Sequence, residues 1–317
     1  KNEYGVESYM TNEYCKSYRL NETFCVNKID YYILKNNDFK QKVRKNQLEK
    51  LTKAINNKIG NNLLNVYKSI ELPSLDEIKK EGEKLVNNGY VTKKGKRLVK
   101  LNKRKKEKII DYKNLSFLED NISRFKYLTQ NGLITPSISS KAGGRVTDSF
   151  NLMPSYIRNL VKIDGEIIVE LDFKALHPNL AIKIYGGKTK YITHQNIANF
   201  LNEDIKKVKI EHLSFFNKHP NDMKKSVLYQ YYKENESEML ENILNDKLTN
   251  RYKITSMRLF DLEVQIMTQI ISELNKKGIY VLYVYDALLC KKSQTDVVLE
   301  TMNRVILDNG VYTIASV

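Results

Sequence analysis

Tryptophan is absent from the 317-residue chain, and cysteine occurs only at Cys15, Cys25 and Cys290. Three thiols without a CxxC pair make neither a disulfide framework nor a zinc finger. They fit a reducing cytoplasm. No apolar run reaches the roughly 18 residues of a membrane-spanning helix, so no membrane is expected as a partner. The first residues have the pattern of neither a signal nor a transit peptide. Lys1 stands where an initiator Met would, which reads as a trimmed start. His194, His212 and His219 share no metal-ligand spacing. Neither an internal repeat nor a low-complexity tract is found. What remains is a globular composition, 41% hydrophobic and 28% charged, long enough for one large domain or two modest ones.

Acidic charge is scarce where the chain begins. Residues 1–115 carry 27 basic and 14 acidic side chains, whereas residues 116–317 carry 26 and 23. Codon bias in an AT-rich gene would raise Lys everywhere, yet it does not explain why one third of the chain holds most of the excess. The run from Lys93 to Lys108 has ten basic residues and a single acid, Glu107. Lys93, Lys94, Lys96, Arg97, Lys103, Arg104, Lys105 and Lys106 therefore form a candidate nucleic-acid surface, which would bind a polyanion by counterion release.

Hydrophobic spacing predicts helices over 38–59, ending at Gly60, and around 63–70. Ser74 with Glu77 is a capping box that opens a helix running to Asn88 and stopping at Gly89. Residues 90–101 read as a hairpin with basic flanks. Helices followed by such a hairpin fit a winged-helix module or a helical arm with a loop on it. From about residue 116 the pattern becomes α+β. A β-branched strand runs over Glu166–Phe173 and a helix follows to Tyr185, closed by Gly186-Gly187. Short helices are expected over 191–216. A helix starting at Pro220, with Asp222 as its cap, would carry Lys224 to Tyr232. An amphipathic helix over 258–277 ends at Gly278, and the apolar strand 279–285 turns through Asp286 toward Cys290.

Two acids break the hydrophobic pattern. Asp172 ends one apolar strand and Asp286 interrupts the other. An Asp in such a place is costly unless it is ion-paired or bound to a metal. Each alone fits an ion pair with a Lys or Arg. Together, on strands that can lie side by side, they point to a shared Mg²⁺ site, which suits a polymerase, a nuclease or a phosphatase.

The order of motifs resembles the superfamily of family A DNA polymerases and single-subunit phage and mitochondrial RNA polymerases. The resemblance spans roughly 140–295. Gly144-Arg145-Val146-Thr147 and Asn151-Leu152-Met153-Pro154 are similar to the segment ahead of motif A. Leu171-Asp172-Phe173-Lys174-Ala175-Leu176-His177-Pro178 stands at motif A, Lys224 to Tyr232 at motif B, and Leu282-Tyr283-Val284-Tyr285-Asp286-Ala287 at motif C. The resemblance implies a right-hand polymerase from a phage or other mobile element. Residues 116–190 and 258–317 would form its antiparallel-sheet palm and 191–257 its helical fingers. Residues 1–115 would be a basic, mostly helical, thumb-like region. It implies two Mg²⁺ ions, or Mn²⁺ in their place, at the catalytic and metal-binding residues Asp172 and Asp286. Nucleotide contacts would come from Phe173, His177, Lys224, Leu228 and Tyr232, and template or primer contacts from Arg145 and Arg158. Partners would be template, primer and nucleoside triphosphates, bound by a monomer or within a replication or defence complex.

Lys224, Leu228 and Tyr232 would share one helix face. Lys225 and Tyr229 form the competing frame. The departures concern the sugar and motif C. His177 stands where the DNA polymerases carry Glu, Tyr285 replaces the usual His, and Ala287 follows Asp286. No Asp-x-Glu proofreading signature stands ahead of Gly144. The expected activity is template-directed nucleotide transfer, DNA synthesis without proofreading ahead of RNA synthesis or primase-like initiation. A non-catalytic nucleic-acid-binding factor and a Mg²⁺-dependent nuclease are the other classes.

Overall fold

The computed structural model describes residues 35–101, 114–130 and 132–317, in two compact units, 1–46 and 47–317. In the first unit the described residues, 35–46, lead into the helix Asn37–Asn56. All other elements belong to the second unit. Residues 1–34, left unassigned from sequence, lie outside the described residues.

The first helix ends earlier than its apolar spacing suggests. Asn57 is extended, and its side chain accepts a 2.9 Å hydrogen bond from the Gly60 N–H, which starts a separate helix, Lys58–Val66. Gly60 is thus no terminator. A Cβ there would lie 2.6 Å from the Ala54 carbonyl oxygen, so glycine permits the sharp join. The Ser74–Glu77 capping box forms and opens the helix Leu75–Asn87.

Among the described residues there are ten strands, in chain order β1 (Ile70–Glu71), β2 (Arg97–Val99), β3 (Leu115–Phe117), β4 (Ser137–Ser139), β5 (Arg145–Thr147), β6 (Lys162–Ile163), β7 (Glu166–Phe173), β8 (Leu282–Val284), β9 (Ala287–Lys291) and β10 (Ala315–Ser316). Six of them make one antiparallel sheet in the order β1-β6-β7-β9-β8, with β10 also paired to β7. β6 pairs with the start of β7 and β10 with its end. β1 joins this sheet although it comes from the basic N-terminal third. Asn62 reinforces the join, its amide exchanging hydrogen bonds of 2.7 and 3.1 Å with the backbone of Val281.

Behind the sheet runs the helix Ile254–Lys276. It buries Leu259, Ile266, Ile270 and Leu274 against the helices Lys58–Val66, Leu176–Tyr185, Ser237–Thr249 and Thr295–Asp308. A second core gathers Ile78, Leu98, Phe125 and Ile157 beneath the helices Leu75–Asn87 and Leu118–Thr129. Next to it, Val91 bridges Arg97, and Leu98 N–H donates to the Tyr90 carbonyl, closing the expected basic turn. β2 continues into a parallel pairing with β3.

The helices His194–Leu201, Ile205–Phe215, Pro220–Met223, Val227–Asn235 and Ser237–Thr249 form the other side. The single helix expected from Pro220 through Tyr232 is corrected to two. His219, not Asp222, caps the first, and Ser226 accepts from Leu228 N–H to begin the second. Lys247 is buried, and its three ammonium hydrogens are taken by the carbonyls of Phe216, Lys218 and Tyr252 at 2.6–3.0 Å. Buried Glu236 accepts from the N–H groups of Lys188 and Thr189.

His212 and Tyr232 are the polar centre of this helical cluster. Tyr232 stacks on Phe215 at 5.2 Å, and its hydroxyl lies 2.8 Å from His212 Nε2. His212 Nδ1 lies 3.2 Å from the Val208 carbonyl, so Nδ1 carries the hydrogen and Nε2 accepts from Tyr232. Burial first, and the neighbouring His194 second, hold His212 down at about 3. The unfolded chain therefore takes up this proton before the folded one does. The resulting stability is complete above about pH 6.5 and is lost as the pH falls toward 3. His212→Gln is expected to lower the melting temperature at pH 8 and to narrow its deficit against the wild type steadily between pH 6.5 and 4. A deficit constant with pH in thermal melts would contradict this account.

Candidate active site

β7 alternates as a half-buried strand should. Leu171 and Phe173 enter the core, and Glu170 and Asp172 take the opposite face. Its pairing with β9 sets Asp172 opposite Ala287, one residue from Asp286. Val284 pairs with Ala287, so Tyr285 and Asp286 are the two residues of a tight hairpin loop. Tyr285 takes φ +60°, the positive value that such loops demand at their first position. A bulky side chain there is strained. The expected hairpin with an acid at its tip is thus present, and it delivers Asp286 to Asp172.

Both carboxylates line a cavity of about 990 Å³. Burial, then the charge of Asp286, pushes Asp172 up to about 7. Burial, then Glu263, also raises Asp286, while His177 and Arg145 pull it down. Asp172 Oδ1 is buried without a hydrogen-bond partner. An orphaned carboxylate oxygen beside a second carboxylate is a donor set suited to a divalent cation. No group of three metal-binding side chains occurs among the described residues. The pair alone fits Mg²⁺, which takes few carboxylates and completes its shell with water and phosphate oxygens.

Beside the pair lies a buried ionic cluster. Glu263, from the long helix, is fully buried and receives Arg145 Nε at 2.8 Å and Arg145 Nη2 at 2.5 Å. His177 Nε2 reaches the same carboxylate at 2.8 Å, so Nε2 carries the hydrogen. Burial raises the Glu263 carboxyl, but hydrogen bonds from His177 and Arg145 more than offset this and leave it below its ordinary value. The Arg145 guanidinium also lies 3.7 Å from the centre of the Phe260 ring and 4.7 Å from that of Tyr285. Gly143 makes the approach possible, since a Cβ there would sit 2.5 Å from the Asp261 nitrogen of the long helix.

The structure brings together Asp172, Asp286, His177 and Arg145, with Phe173 and Lys93 also lining the cavity. Lys94, Lys96 and Arg97 lie on the adjoining turn, Lys94 and Arg97 exposed and Lys96 partly buried. Lys103, Arg104, Lys105 and Lys106 lie outside the described residues. Arg158 is buried, beside the ring of Phe150. The expectation for Leu228 and Tyr232 is corrected: both are wholly buried, so the helix face bearing them is core. Lys224 and Lys225 are exposed, and Tyr229 packs partly into the core. The helix facing the carboxylates across the cavity is Ile205–Phe215, which presents Lys206, Lys209, Ile210 and Leu213. The sequence carried a weak signal for it, lysines interleaved with apolar residues over 205–210; the exposure of Ile210 and Leu213 is visible only in the structure.

Neither a protein-family model nor a curated protein matches the chain. Among solved structures it is similar to the POL domain of Pol1 from M. smegmatis, in complex with DNA primer-template and dNTP. The TM-score is 0.51 and the identity 11%, over 82% of this chain and 68% of that one. The likeness is one of fold: mixed helix and sheet, matching a polymerase domain.

Two outcomes follow from the electrostatics. A raised Asp172 lowers folded-state stability as pH climbs from about 4 to about 7, because the unfolded chain ionises freely in that range while the native state still holds its proton. Asp172→Asn is expected to match wild-type stability at pH 4 and to exceed it by roughly 2–4 kcal/mol above pH 7 in EDTA. A variant no more stable than wild type at pH 8, in chemical denaturation, would refute this. Glu263→Gln leaves Arg145 buried without its counter-charge and is expected to cost about 3 kcal/mol. Unchanged stability would show the cluster to be dispensable.

Proposed function

We propose that this chain is a template-directed nucleotidyltransferase, a DNA polymerase without a proofreading site, that extends a primer with deoxynucleoside triphosphates. The observation that carries the reading is the β7–β9 register. It sets Asp172 beside Asp286 on the floor of a cavity whose opposite wall bears Lys206 and Lys209. In this reading the sheet is the palm, the helices from residue 191 to 257 are the fingers, and the basic turn and its helices are thumb-like.

Asp172 and Asp286 would hold two Mg²⁺ ions, which activate an attacking 3′-hydroxyl and neutralise charge on the transferred phosphoryl group and the leaving pyrophosphate. The protein's own groups position the reactants. Lys206 and Lys209 act as point charges toward the triphosphate, the part first assigned to Lys224. Ile210 and Leu213 give the base an apolar surface. His177, held by Glu263, and Phe173 face the sugar. Arg145, fixed by the same carboxylate and by two aromatic rings, borders the primer terminus. The exposed basic turn at Lys93–Arg97 meets the nucleic-acid backbone, where attraction depends on salt.

Primer extension on a DNA template, with Mg²⁺ and either dNTPs or NTPs, tests the reading. Wild-type protein is expected to give template-length products with dNTPs. Asp172→Ala and Asp286→Ala should each reduce extension by at least about 100-fold while remaining folded. Lys209→Ala should raise the KM for nucleotide about tenfold, in keeping with one lost charge-assisted contact. Full extension by either Asp variant would overturn the assignment. Strand cleavage without nucleotides would replace it with a nuclease.

A further inference from the structure

Glu170 is a third carboxylate on the face of β7 that carries Asp172, two residues and about 7 Å away along the strand. Its position differs from that of the catalytic pair. It lies opposite Leu289 rather than Ala287, farther from the loop that bears Asp286. Its partner is Lys93 of the basic turn, whose ammonium is 3.2 Å from Glu170 Oε1. The Lys93 side chain is 73% exposed, so the pair contributes little stability and exchanges readily.

Arg158 supplies the second half of the argument. It is only 8% exposed, its Nε has no hydrogen-bond partner, and its guanidinium makes no ion pair with any described residue. Burial depresses it, and the charge of Glu170 is the foremost influence acting the other way, ahead of Asp148. Asp148 is committed elsewhere, since its carboxylate accepts from Asn151 N–H and from the Tyr67 hydroxyl. A buried guanidinium left in this state is costly unless an anion comes to it. Glu170 is therefore paired with Lys93 while its charge also acts on Arg158, beside the cavity that holds Asp172.

We infer that Glu170 occupies, in the free protein, the seat of a nucleic-acid backbone phosphate, that Lys93 exchanges its carboxylate for that phosphate when the strand binds, and that the buried charge of Arg158 favours an anion there. The inference rests on the polymerase reading for the identity of the strand. It makes Glu170 a brake on binding: a strand must displace a resident anion, so weak or non-specific contacts are disfavoured. It also adds Glu170 and Arg158 to Lys93 as one phosphate subsite upstream of the reacting end.

The test is fluorescence anisotropy of a labelled DNA primer–template with the full chain, in EDTA, between 50 and 200 mM salt. Glu170→Gln is expected to tighten binding about 3- to 10-fold. Lys93→Gln should weaken it by a similar factor and reduce the salt slope by about one. The double variant should lose the gain of Glu170→Gln. Both positions are partly or largely exposed, and melting curves verify folding. Binding that is unchanged or weaker in Glu170→Gln overturns the inference, as does a double variant that keeps the gain. Loss of Mg²⁺ protection against thermal unfolding in Glu170→Gln would make it a metal-holding group and overturn it too. Tightened binding in a protein that extends no primer would reject the polymerase reading and leave the subsite standing. Extension with unaltered binding would do the reverse.

Discussion

Two carboxylates that repel each other are held together by a backbone register. Asp172 and Asp286 are 114 positions apart in sequence, and only the ladder between β7 and β9 makes them neighbours. That register is strongly specified. A slip of one residue would turn Leu171 and Phe173 outward and drive Glu170 and Asp172 into the core, which no hydrophobic strand tolerates. The core beneath therefore fixes the chemistry above. Burial of Leu171, Leu288 and Leu289 keeps the ladder in place, and the ladder keeps the two like charges beside each other. The strained φ at Tyr285 belongs to the same arrangement. A tight loop places Asp286 beside Asp172 where a longer one would let the two acids drift apart.

The Glu263 cluster answers the electrostatic consequence. Asp286 lies near the negative charge of Glu263, which alone would make the site worse. Glu263 is, however, neutralised by Arg145 and His177, and the same two cation-capable groups pull Asp286 back toward ionisation. A buried ion pair of this kind does little for net stability compared with an apolar replacement. Its value is positional. Arg145 lies against the rings of Phe260 and Tyr285 and is held by two hydrogen bonds to Glu263, so β5, the strained loop and the long helix are tied together as one body. His177 belongs to that body and has lost the freedom of an isolated imidazole.

What could be read from sequence follows from the range of the interactions involved. β7 and the Asp286 hairpin were legible because alternation, β-branching and an acid out of pattern are local signals. The Ser74–Glu77 box was legible because both partners lie within one turn. The helix contacts expected of Leu228 and Tyr232 failed for a tertiary reason. A Lys followed eight residues later by Tyr is satisfied equally by a ligand-facing stripe and by a core stripe, and here the stripe meets His212 and Phe215. Ser226 also competed for the backbone and broke the helix that the spacing assumed. β1 was out of reach because a two-residue strand has no periodicity, and its partner β6 lies about 90 positions farther along the chain.

The uneven charge of the chain takes on a mechanical meaning in this fold. If the basic excess served only general attraction to a polyanion, its lysines would be equally useful anywhere on the surface. Instead the turn at Lys93 lines the cavity that holds Asp172 and Asp286, anchored by Leu98 in a core shared with Ile157, one residue from Arg158. Leu98 and Ile157 are both fully buried, so the turn cannot shift without disturbing the helix that holds Arg158. Glu170, paired with Lys93 of the turn, and Asp172, opposite the residue that follows Asp286, thus follow one another along β7 because alternate residues of a strand must share a face.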